Sequence, residues 1–412
     1  MTIYNIAMHL LRAGIWLASW IHPKARTFVS GRKNIWKNIS EKMKAQTRPV
    51  VWVHCASLGE FEQGRPVIEA IRQEFPGYQL LVSFFSPSGY EVRQNYSRAD
   101  YVFYLPLDLP RNARRWVELV KPTLAIFIKY EFWMNYAIEL KKKNIPLLSV
   151  STIFRPSQPF FQWYGNLFRK ILSQFDHFFV QNHQSATLLK SIGFTNYTLT
   201  GDTRFDRVYQ ITRQAEEIAV AHRFKNDEKL MVVGSCWQED IDVLAPMINE
   251  GQLKFILAPH EVTPTFLSHI ERQLEVKYIR YSQAVALPQL DQYQVLLIDN
   301  VGMLSRLYRY GEFAYVGGAF GKGLHNILEA ACYGVPIFFG NKNYQKFNEA
   351  NDLIMRGGAF EIGDFADLKQ KYEQVNVPET FMLACEVTKS YVEENLGATE
   401  KIMTYCRKIL QA

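Results

Sequence analysis

The sequence predicts an α/β protein of two Rossmann-like halves, each a parallel sheet with crossover helices, and three observations lead there. At 412 residues the chain is too long for one ordinary core and suits two domains of similar size. Short apolar runs close in loops rich in Gly, Ser, Asp or Asn and give way to segments of helical period, the alternation a parallel sheet requires. That alternation runs from residue 50 to residue 180 and restarts at residue 229, with a change-over near residues 200–206. Hydrophobic residues at 48% and charged residues at 21% belong to a globular chain rather than a disordered one.

In the first half, residues 50–54 (VVWVH) read as a strand, closed by Ala56-Ser57-Leu58-Gly59-Glu60 and followed by a helical pattern carrying Val67, Ile68 and Ile71. Further strands are expected at 78–85 before the Ser86-Pro87-Ser88-Gly89 turn, at 101–105, at 124–128 ahead of Lys129-Tyr130-Glu131, at 146–150 and at 177–180. In the second half they are expected at 229–233 before Gly234-Ser235, at 254–258 before Pro259-His260, and at 295–298 before Asp299-Asn300. Two more fall at 312–316 before Gly317-Gly318 and at 335–339 before Gly340-Asn341. Ligands of such sheets sit at the carboxyl ends of the strands, so these loops are where function is expected. The expected domains are a membrane-associated helix over 1–30, an N-terminal domain over 31–205, a C-terminal domain over 206–385, and a C-terminal helix over 386–412, for which packing back on the N-terminal domain is one option.

Residues 3–21 are mostly apolar, but they include Asn5, His9 and Arg12, and Trp16 and Trp20 lie near their end. A membrane span needs roughly 20 predominantly apolar residues, and an arginine in its middle is costly. An interfacial helix fits better, with Trp at headgroup level; the alternative is a first helix packed on its own domain. No small-residue cleavage site is apparent, which argues against a removed signal peptide. Lys24, Arg26, Arg32, Lys33, Lys37, Lys42 and Lys44 follow against a single Glu41, within a net charge of +7. This favours an anionic partner and the cytoplasmic side of a membrane. Nucleic acid is not expected, because no interleaving of basic and aromatic residues on one face is discernible. Five scattered cysteines without a CxxC pair argue for free thiols in a reducing compartment.

Glu60 closes a Gly-containing loop after a strand and opens a helix, and Glu131 sits just past another strand end. Each position suits a general base beside bound substrate, and each equally suits an acid that caps a helix. The richest segment is Gly317-Gly318-Ala319-Phe320-Gly321-Lys322-Gly323-Leu324-His325-Asn326-Ile327-Leu328-Glu329. Glycines after a strand let backbone amides approach a phosphate, and a helix after them offers its positive end. Lys322 adds charge, and Glu329, one turn into that helix, is placed to accept hydrogen bonds from ribose hydroxyls. A tight turn explains the glycines alone; loop, helix start and acid together point to a nucleotide. The nine histidines show no HxxxH or HExxH spacing, so chemistry without a metal or other cofactor is expected.

Taken in order, these segments resemble the 3-deoxy-D-manno-octulosonic acid (Kdo) transferases of lipopolysaccharide synthesis. His54-Cys55-Ala56-Ser57-Leu58-Gly59-Glu60 is similar to the family's H-x-x-S-x-G-E loop, whose Glu is the proposed base. Tyr104-Leu105-Pro106-Leu107-Asp108-Leu109-Pro110 resembles YLPxDLP, and Glu131-Phe132-Trp133-Met134-Asn135 resembles ExWPN, whose Glu is also required. Thr200-Gly201-Asp202-Thr203-Arg204-Phe205-Asp206 resembles TGxxKFD at the domain junction. His325-Asn326-Ile327-Leu328-Glu329 is similar to HNxLE of the CMP site, and Phe347-Asn348 to the FN pair after it. The chain departs from the family at Lys129-Tyr130-Glu131, where ETE is usual, at Ala258-Pro259-His260 for Pro-Arg-His, and at Ser151-Thr152-Ile153 for NAR, with Arg155 close by. Met303 replaces the Glu of DxxGEL.

The resemblance implies a GT-B glycosyltransferase, two Rossmann-like domains facing a central cleft. It further implies inverting transfer of Kdo from CMP-Kdo to a lipid A precursor at the cytoplasmic face of a Gram-negative inner membrane, with the enzyme held peripherally or by one N-terminal anchor. The implied catalytic residues are Glu60 and Glu131. Donor contacts fall to Ser235, His260, Gly317, Gly318, Lys322, Gly323, His325, Asn326, Glu329 and Asn348, and acceptor contacts to Ser57, Gly59 and Arg155. Other classes stay open: another GT-B enzyme such as a UDP-sugar epimerase or a UDP-N-acetylglucosamine transferase, and a nucleotide-binding protein without turnover.

Overall fold

The computed structural model describes residues 2–214 and 216–411. The chain forms two compact units, Met1–Arg207 together with Gly397–Ala412, and Val208–Leu396.

Unit 1 carries a seven-stranded parallel sheet of β1 (Val50–Cys55), β2 (Gln79–Phe84), β3 (Tyr101–Tyr104), β4 (Pro122–Ile128), β5 (Leu147–Thr152), β6 (His177–Val180) and β7 (Tyr197–Leu199), in the order β3-β2-β1-β4-β5-β6-β7. Every residue of β1 is buried, as in a central strand covered on both faces. Unit 2 repeats the plan with β8 (Leu230–Cys236), β9 (Lys254–Pro259), β10 (Tyr278–Arg280), β11 (Val295–Leu297), β12 (Phe313–Val316), β13 (Ile337–Gly340) and β14 (Ala359–Ile362), in the order β10-β11-β9-β8-β12-β13-β14. Strand order reverses between β1 and β4 and between β8 and β12, and such reversals open a crevice at the carboxyl ends. The three strands not expected from sequence, β7, β10 and β14, are all sheet edges.

The break expected after residue 385 falls inside one helix, Pro378–Glu394, whose Ala384, Thr388, Tyr391 and Val392 are buried. The chain returns to unit 1 at Gly397, and the helix Ala398–Leu410 adds Ile402, Met403, Cys406 and Leu410 to the core beneath β1, β2 and β4. Asp206, in the junction motif, fastens this return by accepting from the amides of Gly397 (2.7 Å) and Thr399 (2.6 Å).

The single helix expected over residues 1–30 is instead two, α1 (Thr2–Ala18) and α2 (Pro23–Ser30), because Pro23 cannot continue a helix and starts a new one; α3 (Ile35–Met43) follows. Among the described residues no helix is long and apolar enough to cross a membrane. α1 docks on unit 1 by one face: Met8 is buried, and Tyr4 donates to Asp108 Oδ2 (2.6 Å). Its other face leaves Ile6, Leu10 and Leu17 exposed at 54%, 67% and 63%. One of the seven cations expected to face lipid turns inward. Arg32 donates to the carbonyls of Leu105 and Phe85 and lies 3.6 Å over the Phe28 ring, and burial pulls its pKa down to about 9.

Candidate active site

In unit 1 the acids gather past β1 and β4. Ser57 is the N-cap of α4 (Leu58–Glu74), with Glu60 in the first turn. The S-x-x-E spacing allows a reciprocal capping box. Ser57 makes no such bond to the helix; its hydroxyl donates to the Glu60 carboxylate instead. Glu60 is therefore a half-buried carboxylate steered by Ser57 at the positive end of α4, not a capping acid.

Glu131 is immobilised by a buried relay. Trp52 Nε1–H donates to Ser83 Oγ (2.7 Å), His54 Nδ1 lies 2.9 Å from that hydroxyl and 3.1 Å from the Ser83 carbonyl, and His54 Nε2 lies 3.1 Å from Glu131 Oε2. Trp133 Nε1–H donates to the same oxygen (2.6 Å). Past β3, Asp108 accepts from the amides of Asn135 and Tyr136 (both 3.0 Å), which begin the helix Met134–Lys142 next to Glu131, while burial raises its carboxyl to about 6. Through Tyr4 this carboxylate also ties α1 to the Glu131 loop.

Lys129, where the family has Glu, sits in a left-handed conformation (φ 69°) at the end of β4. Burial and the nearby Arg204 lower its ammonium pKa, against the carboxylates of Glu60 and Asp202. Arg155 lies 5.9 Å over the Tyr130 ring. Gly59 is exposed in the first turn of α4.

Unit 2 presents rings and a cation past β8 and β12. A bulge between Gly234 and Cys236 puts Ser235 at φ 52° and delivers Trp237 to the start of the helix Gln238–Asn249. Trp237 stacks on His260 (4.5 Å between centroids), His260 on His325 (4.3 Å), and Trp237 Nε1–H donates to His325 Nε2 (3.0 Å). Lys322 Nζ lies 3.6 Å over the Trp237 ring. Burial, with His260 adding, lowers the His325 pKa to about 4 and keeps that acceptor nitrogen unprotonated. Asn326 donates to Glu329 Oε1 (3.1 Å), and Asn348 is exposed at the start of the helix Asn348–Arg356.

Residues 32–207 match the family model described as 3-Deoxy-D-manno-octulosonic-acid transferase (kdotransferase). A 3-deoxy-D-manno-octulosonic acid transferase of Aquifex aeolicus is 28% identical over 336 residues, 79% of this chain and 85% of the relative. One of Haemophilus influenzae is 24% identical over 423 residues, 98% of this chain and 97% of the relative. The chain is thus similar to Kdo transferases over most of its length. Its fold is the two-unit GT-B type: a UDP-GlcNAc 2-epimerase from Neisseria meningitidis superposes with a TM-score of 0.61 at 15% identity, over 87% of this chain and 100% of that one.

Two expectations for the family's glycine-rich segment fail on the geometry. The Gly317 and Gly318 amides, expected to face a phosphate, donate to Gly234 O and Asp240 Oδ2 (both 2.9 Å). Both glycines are required by crowding: a Cβ on Gly317 would meet Ser235 O at 2.5 Å, and one on Gly318, at φ +94°, would meet Gly323 O at 2.5 Å. The helix expected at His325-Asn326 starts only at Leu328 and runs four residues, too short to offer a strong positive end. Gly323, at φ +122°, closes the same turn by donating to Gly318 O (2.9 Å).

Sequence reasoning missed His54, Trp133, Trp237 and Asp240. The chain was also expected to carry no Asp-x-Asp motif, yet Asp240-Ile241-Asp242 is one. Asp240 is fully buried and spends its carboxylate on the Trp237 and Gly318 amides and the Tyr315 hydroxyl, while Asp242 lies 3.5 Å from His269. Among the described residues no group of three or more His, Cys, Asp or Glu is placed to hold a metal ion.

Proposed function

We propose that the chain is an inverting glycosyltransferase that moves Kdo from CMP-Kdo to a sugar hydroxyl of a lipid A precursor in lipopolysaccharide biosynthesis. One observation carries this reading: in each unit the family's motif residues gather at the strand ends where the sheet order reverses, acids in unit 1 and a cationic ring wall in unit 2. Glu60 takes the proton of the acceptor hydroxyl as its oxygen attacks the anomeric carbon. The bond from that carbon to the CMP phosphate breaks, and the electron pair leaves with the phosphate. General-base help of this kind is worth roughly 10²- to 10⁴-fold. Glu131, fixed by the Trp133 indole N–H and by contact with His54, supplies negative charge to an oxocarbenium-like transition state without moving.

The leaving phosphate is assigned to Lys322, His260 and Ser235 rather than to the Gly317 and Gly318 amides, and the ribose to Glu329 with Asn326 and Asn348 beside it. Ser57, Gly59, Arg155 and Lys129 are assigned to the acceptor. No metal ion is required, since Lys322 meets the phosphate charge. The apolar face of α1 holds the enzyme to the anionic cytoplasmic face of the inner membrane. The test is incubation with CMP-Kdo generated in situ and a lipid A precursor in EDTA. The expected product is the acceptor heavier by whole Kdo units, with CMP released. Turnover of a UDP-sugar instead, or strict dependence on an added divalent ion, contradicts the reading.

A further inference from the structure

A cavity of about 570 Å³ in unit 1 belongs neither to the acids past β1 and β4 nor to any sequence motif of the donor site. It is lined by His9 and Arg12 of α1, Trp36 of α3, and Arg111, Asn112 and Arg115 from the first turns of the helix Pro110–Val120. Arg12, Arg111 and Arg115 have no carboxylate partner among the described residues, whereas the neighbouring Arg114 is paired with Glu118 (2.9 Å). Arg115 is pre-positioned by its stack on Trp36, 4.6 Å from the ring centre. The N-cap of the same helix, Leu109, offers no side-chain acceptor to its first amides, which leaves its positive end open to an anion.

Position decides which anion. On α1, His9 and Arg12 lie on the flank between the docked face, with Tyr4 and Met8, and the exposed apolar stripe of Ile6, Leu10 and Leu17. The cavity opens where the chain leaves β3, at the sheet edge and two strands from β1, which at the usual strand spacing is roughly 10 Å from the strand that leads to Glu60. We propose that this cavity binds the phosphate headgroup of an anionic bilayer phospholipid, whose acyl chains then run along the exposed stripe of α1. The site anchors and orients the enzyme without holding the lipid that reacts, and it rests on the membrane reading given above.

The test is sedimentation of the full-length protein with vesicles of phosphatidylglycerol in phosphatidylcholine. A cation close to such a surface contributes about fivefold to partitioning, so Arg111→Gln/Arg115→Gln is expected to bind about 25-fold more weakly. Lys33→Gln/Lys37→Gln removes the same charge outside the cavity and is expected to lose less than about fivefold through screened attraction. Arg111→Gln alone, which keeps the Arg115–Trp36 stack, should lose about fivefold and serves if the double variant does not fold. Equal losses in the two double variants would overturn the cavity site while leaving membrane attraction standing; wild-type protein that ignores the vesicles would overturn both. Turnover of an acceptor stripped of its acyl chains should be unchanged in Arg111→Gln, and a loss of tenfold or more would make the cavity an acceptor subsite and contradict the proposal.

Discussion

The two units place different chemistry on the same frame. Each sheet reverses its strand order at a central pair, and side chains collect at the carboxyl ends of that pair. Unit 1 fills the place with Glu60 and Glu131, backed by a buried imidazole, two indoles and a serine. Unit 2 fills it with Trp237, His260, His325 and Lys322, backed by one buried carboxylate, Asp240. The frame fixes where a ligand goes; the buried polar groups under each crevice decide which side chains are held out to meet it. In unit 1 indole and imidazole rings hold an acid, and in unit 2 a buried acid holds the loops that carry rings and a cation.

Breaking the acid side should produce the largest effect. Glu60→Gln should lower turnover by about 10²-fold or more, followed as CMP release from CMP-Kdo. Turnover close to wild type would remove Glu60 from the proton transfer. Breaking the support of the other side comes next. Asp240→Ala strands two amides and a phenol that now share its carboxylate, and should cost about 3 kcal/mol in urea unfolding. A change under about 0.5 kcal/mol would mean that the Gly317-Gly318 turn does not depend on it.

A smaller effect should come from the tie between α1 and the acid side. Tyr4→Phe removes the hydroxyl held by Asp108 and should cost about 1 kcal/mol. Burial raises the Asp108 carboxyl from 3.8 to about 6, so the native state holds the proton more tightly than the unfolded chain does. Its contribution to stability is complete below about 3.8 and is lost as the pH rises through about 6. The Tyr4 hydrogen bond holds that pKa down, so in Tyr4→Phe the loss should still begin near 3.8 but extend to higher pH. Superimposable stability–pH curves for the two proteins would separate α1 from Asp108.

Sequence alone located the central strands of both sheets, because strands buried on both faces are short continuous apolar runs bounded by turn residues. It missed β7, β10 and β14, where an edge strand of three or four residues needs no such run. Glu60 and Glu131 were legible from their places after strands and from the motifs around them. Their supports were not: His54 reads as the last residue of an apolar strand, and its link to Glu131 spans 77 positions. The glycine-rich segment misled for a related reason. Its glycines serve packing against Ser235 and Asp240, residues far away in sequence, so local pattern alone assigned their amides to a ligand. Arg32 likewise counted as surface charge until its carbonyl partners were visible.

The division of labour between the units is tested most directly by calorimetric titration of CMP into the wild-type chain, Glu60→Gln and Trp237→Ala. Trp237→Ala removes the ring that positions Lys322 and His260, and should weaken CMP by at least about tenfold, or roughly 1.4 kcal/mol. Glu60→Gln should bind CMP as the wild type does while turning over at least about 10²-fold more slowly. The account is contradicted if Glu60→Gln loses CMP affinity as severely as Trp237→Ala, or if Trp237→Ala binds CMP unchanged.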